Sequence, residues 1–242
     1  MPVWASLLGI TPNTQELECL LWVDPQKTFQ DTVLNELPVQ WAIEIVPVIN
    51  TEIQRIKEKA GIVIFSWDAH PLGHFSLASS YVGIPDYTLL DISMINTIQL
   101  SPQAKFTKEQ LRTELQKGPQ RAWPDHGIKW TKWWEYIDGL NTQDVDYHIE
   151  KWFIPNKECY SAFGGVEKET REPLLKLLKK LWVTTITVVW LALDYCVKAS
   201  TIDAAKNGFK VILKLSGTKA VDPSQEVEVL RELRALWVQI VD

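Results

Sequence analysis

The sequence predicts a three-layer αβα fold of the α/β class, built on a six-stranded, mostly parallel, Rossmann-like sheet. Two observations predict it. Apolar β-type runs alternate with amphipathic helical runs along nearly the whole chain, the pattern of a parallel sheet covered on both faces. The chain of 242 residues is 46% hydrophobic and 23% charged, which suits one ordinary soluble domain with a sizeable core.

The elements follow in order. "ECLLWVD" (18–24) reads as the first strand, and 42–60 as mostly helix with Pro47 near its start. "GIVIFSWD" (61–68) is a second strand and "VDYHIEKW" (145–152) a third. A helix over 168–181 leads into a strand over 184–192, and a helix over 194–207 into a strand over 209–215. A last helix, 224–236, precedes a short strand at 238–242. Residues 85–122 break the rhythm and are expected to form a lid or loop inserted into a single domain spanning 1–242, with one helix over 107–117.

Composition excludes several classes. A net charge of −5 gives no basic footprint for nucleic acid. The stretch 181–197 is interrupted by threonines, Asp194 and Cys196, too polar for a membrane span. Residues 1–13 lack a positive n-region and a long apolar stretch, so no signal peptide is expected. Three cysteines without metal-like pairing read as reduced thiols of a cytoplasmic protein.

In open parallel sheets, reactive groups gather at the carboxyl ends of the strands. There the sequence places Asp24, then Asp68 with His70, then Lys151, then the turn carrying Cys196. Alone, each has a plainer explanation as a turn residue, a solvated lysine or a core thiol. Together on one sheet edge they suggest acyl transfer through a thioester. Cys196, in the first turn of a helix and near Lys151, would be a thiolate. Asp24 would carry its proton, and N–H groups of the 191–196 turn would form an oxyanion hole. "DAHPLGH" (68–74) adds Asp68 and His70, two residues apart; with one more imidazole they would make a metal site. His74 and His126 compete for that place on spacing alone.

These segments resemble the isochorismatase-like cysteine hydrolases, in their nicotinamide-hydrolysing branch. "LLWVDPQKTF" (20–29), "WDAHPLGHFSLAS" (67–79), "WPDHG" (123–127), "EKWFIPNKECYSAF" (150–163) and 188–211 carry the resemblance. It implies a triad of Asp24, Lys151 and Cys196, metal ligands Asp68, His70 and His126, and His74 beside them. It implies a cis peptide at Leu191–Ala192, with N–H groups of Ala192 and Cys196 as the oxyanion hole. Phe29, Trp123, Tyr160 and Tyr195 would wall a flat pyridine ring. The implied cofactor is one divalent metal ion, zinc before iron or manganese. The implied reaction takes nicotinamide to nicotinate and ammonia in NAD salvage, without nucleic-acid or membrane partners; a homo-oligomer is compatible with it. Two alternatives stand: a sister hydrolase acting on isochorismate or another amide, and a silent family member acting as a binding protein.

The chain departs from the family pattern. Gly127 replaces a cysteine and Ala69 a tryptophan. Trp41, Trp130, Trp133, Trp152, Trp182, Trp190 and Trp237 stand where glycine is usual. Helices feeding strands often end in a left-handed glycine. Of four such junctions here, two carry Gly61 and Gly208, and two carry Trp182 and Trp237. A left-handed non-glycine residue costs about 1–2 kcal/mol. The chain has 12 Trp and 11 Gly; with these seven as glycine, the glycine share would reach the usual level of about 7%. Several are therefore expected to be native glycines, as a codon such as UGA read under two codes would produce. The competing readings are genuine tryptophans with local adjustment, or engineering.

Overall fold

The computed structural model describes residues 16–31 and 36–242; the reading of residues 1–13 lies outside them. Its strands are β1 (Leu17–Val23), β2 (Ile62–Asp68), β3 (Leu89–Leu90), β4 (Gln120–Arg121), β5 (Tyr147–Lys151), β6 (Val166–Glu167), β7 (Val183–Leu191), β8 (Lys210–Lys219) and β9 (Gln239–Val241). The main helices are α1 (Val46–Glu58), α2 (Lys108–Leu115), α3 (Leu174–Lys180), α4 (Lys198–Lys206) and α5 (Glu226–Ala235). The main sheet has seven strands, in the order β6-β5-β2-β1-β7-β8-β9. The expected six are parallel. The seventh, β6, is a two-residue antiparallel edge on β5, too short to leave a periodic signal in the sequence.

Alternation along β1 explains the layering. Cys19, Leu21 and Val23 face a core shared with α3, α4 and α5, whereas Leu20 and Trp22 face α1 through Ile49, Ile53 and Ile56. Both sheet faces are thus apolar, as a strand buried on both sides requires. Residues 85–122 hold the small β3–β4 pair and α2. Thr107 and Gln110 close a reciprocal cap at the start of α2, satisfying two otherwise orphaned N–H donors. Leu90, Ile95, Phe106 and Leu111 bury with Phe75 and Trp152 in a separate apolar cluster.

Several elements differ from the sequence reading. The helix expected at 42–60 opens as a tight turn over Ala42–Ile45. That expected from 168 begins only at Leu174, because Pro173 disfavours helical backbone before it. The helix expected from 194 begins as a wide π-turn, Leu193–Val197. The junction after α1 also differs: Ala60, not Gly61, is left-handed there, with φ +55°. Gly61 is required instead for closeness, since a Cβ would lie 2.7 Å from the Glu18 carbonyl oxygen.

Six of the seven singled-out tryptophans have left-handed backbone, with φ between +58° and +93°. Trp133 does not: it lies within the tight turn Lys132–Trp134.

Candidate active site

The strand order reverses between β1 and β7, so a crevice opens at their carboxyl ends. Asp24 follows β1 there, Asp68 ends β2, Lys151 ends β5, and Cys196 sits in the π-turn after β7. The structure brings these four side chains together, all buried.

Asp24 is left-handed, with φ +58°, a conformation aspartate tolerates better than most residues. Its N–H donates to the Ser66 carbonyl at 3.0 Å, and the Ser66 hydroxyl donates to Asp24 Oδ1 at 2.8 Å. Lys151 Nζ lies 2.9 Å from Asp24 Oδ2, pairs with Asp68 Oδ1, and donates to Cys196 Sγ at 3.3 Å. One ammonium thus faces two carboxylates and the thiol.

Electrostatics correct one expectation. Burial, with Asp24 and Asp68 close by, pushes the Cys196 thiol well above its ordinary value; Lys151 opposes this without overcoming it. The resting residue is a thiol and not the thiolate expected from the helix start. Burial and the charge of Asp68 raise Asp24 to about 7, although Lys151 and Ser66 pull it down. Burial would raise Asp68 as well, but Lys151, His126 and His70 hold it well below the usual carboxylate range. Burial works against charge on Lys151, and the two carboxylates more than offset it, so the ammonium stays charged.

Asp68, His70 and His126 offer one carboxylate oxygen and two imidazole nitrogens within 4.8 Å of one another. His126 Nδ1 donates to the Pro124 carbonyl at 2.8 Å, which leaves Nε2 free toward Asp68 Oδ2, 3.6 Å away. His70 Nδ1 is buried without a partner. A Cβ on Gly127 would lie 2.9 Å from Asp68 Cβ and 3.5 Å from His70 Nδ1. This buried, orphaned donor set suits a divalent cation. His74 is outside it: Nδ1 accepts from the Ser76 N–H at 3.1 Å, and Nε2 donates to the Ile154 carbonyl at 3.0 Å. Burial pushes His74 down to about 3, so it stays neutral.

A narrow cavity of about 30 Å3 opens above these groups. Phe29, Trp123, Tyr160 and Tyr195 all line it, with Asp68, His126 and Cys196. Trp123 Nε1 donates to the Tyr160 hydroxyl at 3.0 Å. The peptide Leu191–Ala192 is cis, and the Ala192 carbonyl accepts from Tyr195 and Val197 N–H. The sequence reading missed the contributions of five residues. Trp152 lines the cavity, as do Leu37 and Val39, apolar residues without a distinguishing pattern. Gln26 clamps Asp68, donating to its carbonyl at 2.9 Å and accepting from its N–H at 2.8 Å; its place two residues after Asp24 was the available signal. Ser66 lies on β2, where nothing in the sequence marks it.

A switch-point crevice holding a cysteine, a lysine and two aspartates beside paired imidazoles defines a cysteine hydrolase of the α/β class. The chain belongs to the isochorismatase family, whose domain model matches residues 18–242. A nicotinamidase from Acinetobacter baylyi is 29% identical over 221 residues, covering 91% of this chain and 90% of that protein. The structure of an Acinetobacter baumanii nicotinamidase and pyrazinamidase superposes with TM-score 0.75 at 27% identity, covering 95% of this chain and 97% of the other. A Pyrococcus horikoshii pyrazinamidase in complex with zinc superposes with TM-score 0.66 at 28% identity, covering 93% and 98%.

Proposed function

We propose that this chain is a nicotinamidase, an amidohydrolase that converts nicotinamide to nicotinate and ammonia and so serves NAD salvage. The observation that carries the chemistry is the meeting of Asp24, Lys151 and Cys196 beside Asp68, His70 and His126 under an aromatic-walled cavity. The relatives carry the substrate.

The residues divide the work. Phe29, Trp123, Tyr160 and Tyr195 hold a flat ring in the cavity. Asp24, one of whose carboxylate oxygens lies within 4.8 Å of Cys196 Sγ and which titrates near neutrality, takes the thiol proton; a base of such pKa suits catalysis near neutral pH. The sulfur bonds to the carboxamide carbon, and N–H groups of Ala192 and Cys196 receive the charge that develops on its oxygen. The C–N bond breaks as Asp24 returns the proton to departing ammonia. Water then cleaves the thioester, releasing nicotinate and restoring the thiol. Lys151 keeps Asp24 and the sulfur in register and offsets their negative charge. Asp68, His70 and His126 would hold the divalent ion, zinc before iron or manganese, which when bound supplies a Lewis-acidic anchor for the ring nitrogen, directly or through water.

No described helix is long and apolar enough to cross a membrane; a cytoplasmic setting fits the three free cysteines. The test is ammonia release from nicotinamide by purified protein beside Cys196→Ala. Release should vanish in the variant; release that survives refutes the mechanism.

A further inference from the structure

We propose that the six left-handed tryptophans stand where the functional protein carries glycine, through a gene in which UGA encodes glycine, and that residue 152 sets the room beside His70 for the substrate. The second part rests on the nicotinamide reading; the first does not.

The backbone makes the first case. Among the described residues, ten non-glycine positions have positive φ, and six are tryptophans: 41, 130, 152, 182, 190 and 237. The other four are Asp24, Ala60, Tyr87 and Arg171. Positive φ is uncommon for any non-glycine residue and a marked outlier for a bulky one. Eleven tryptophans are described, so more than half of them fall in that region. Trp22, Trp67, Trp123 and Trp134, which the sequence did not mark as glycine-like, have ordinary backbone.

At positions 182, 190 and 237 the surrounding backbone shows why glycine suits the place. After α4, the Gly208 N–H donates to the Ala205 carbonyl, and Phe209 N–H to Ala204. After α5, Trp237 N–H donates to Arg234, and Val238 N–H to Leu233. This is one glycine-type helix cap built twice. No atom would crowd a Cβ at Gly208, so its backbone angle of +85° is what calls for glycine there. Trp182 takes the corresponding place after α3, with φ +59°. Trp190 has φ +93° next to the β7–β8 register shift, a backbone angle that glycine adopts freely and a bulky residue does not. Side chains add a second argument. Trp41, Trp130, Trp182 and Trp237 are 51%, 78%, 83% and 93% exposed, whereas tryptophan is highly buried on average.

Position 152 joins this to function. The Trp152 ring lies 5.0 Å from His70 and 4.9 Å from Tyr160, centroid to centroid, and lines the cavity. With glycine there, the cavity gains the volume of the whole indole next to a residue of the metal-binding set.

The gene sequence and peptide mass mapping of the protein from its own source read the first part directly. UGA codons and glycine-mass peptides are expected at the six positions, and UGG with tryptophan at 22, 67, 123 and 134. UGG at the six, or tryptophan-mass peptides there, overturns the proposal. The chain with all six as glycine should melt at least about 10 °C above the tryptophan form; an equal or lower Tm counts against it. For the pocket, Trp152→Gly alone should lower KM for nicotinamide at least tenfold with kcat changed less; an unchanged KM overturns that part. A six-glycine chain that is encoded so and folds, yet releases no ammonia, refutes the nicotinamide reading and leaves the codon assignment standing.

Discussion

Replacing Lys151 by methionine removes the ammonium that faces Asp24, Asp68 and Cys196. All are buried, and Nζ lies 2.9 Å from Asp24 Oδ2 and 3.3 Å from the thiol sulfur. Breaking a buried pair by deleting one partner typically costs about 3–5 kcal/mol. At about 2–4 °C per kcal/mol for a chain of this size, Tm should fall by roughly 6–20 °C. The deficit should also depend on pH in a defined direction. With Lys151 present, Asp24 titrates at about 7 in the folded protein, against an ordinary 3.8. A carboxyl raised on folding gives stability that is fully present below its unfolded value and is lost as pH rises through its folded value. In the parent that loss ends near pH 7. Without the ammonium the folded value rises further, so the variant keeps losing up to about 1.4 kcal/mol per pH unit above 7 while the parent does not. The assay is thermal unfolding of both proteins, treated with chelator, at pH 7 and 8.5. A deficit below about 1 kcal/mol, or one that does not grow between those pH values, would refute the account of Lys151 as the shared counter-charge.

Further outcomes follow from the same geometry. Asp24→Asn should lower kcat by about 10²–10⁴-fold with little change in zinc binding, since Asp24 moves the proton and lies outside the ligand set. In the parent, kcat/KM should fall on the acid side with an apparent pKa near the Asp24 value of about 7, and a flat profile from pH 5.5 to 8 would exclude Asp24 as the base. Asp68→Asn and His126→Ala should each abolish stoichiometric zinc uptake, measured by titration with a competing chelator, whereas His74→Gln should retain it. Gly127→Ala puts a Cβ 2.9 Å from Asp68 Cβ at a φ of +55°, and should weaken zinc affinity by about 10–100-fold through displacement of Asp68.

What the sequence could disclose follows from how each feature is written into it. Six parallel strands were legible because burial on both faces makes each a dense apolar run, as in "CLLWV" and "IVIFSW". The β6 edge was not, because two residues carry no period. The site was legible through topology: Asp24, Asp68, Lys151 and Cys196 each follow or end a strand, and strand ends on one sheet edge converge. Ser66 and Gln26 were harder, since a residue that only steadies an aspartate needs no unusual chemistry of its own. The protonation of Cys196 was misjudged for a physical reason. Spacing shows a helix start, which lowers a thiol pKa, but not the burial and the two carboxylates that raise it. The proton-carrying role read for Asp24 stands, and the buried thiol makes it a requirement. A preformed thiolate would need it only as an acid, whereas a buried thiol requires it first as a base. Its raised pKa and its place within reach of the sulfur then become two parts of one device, which Lys151 tunes by lowering Asp24 and Cys196 together.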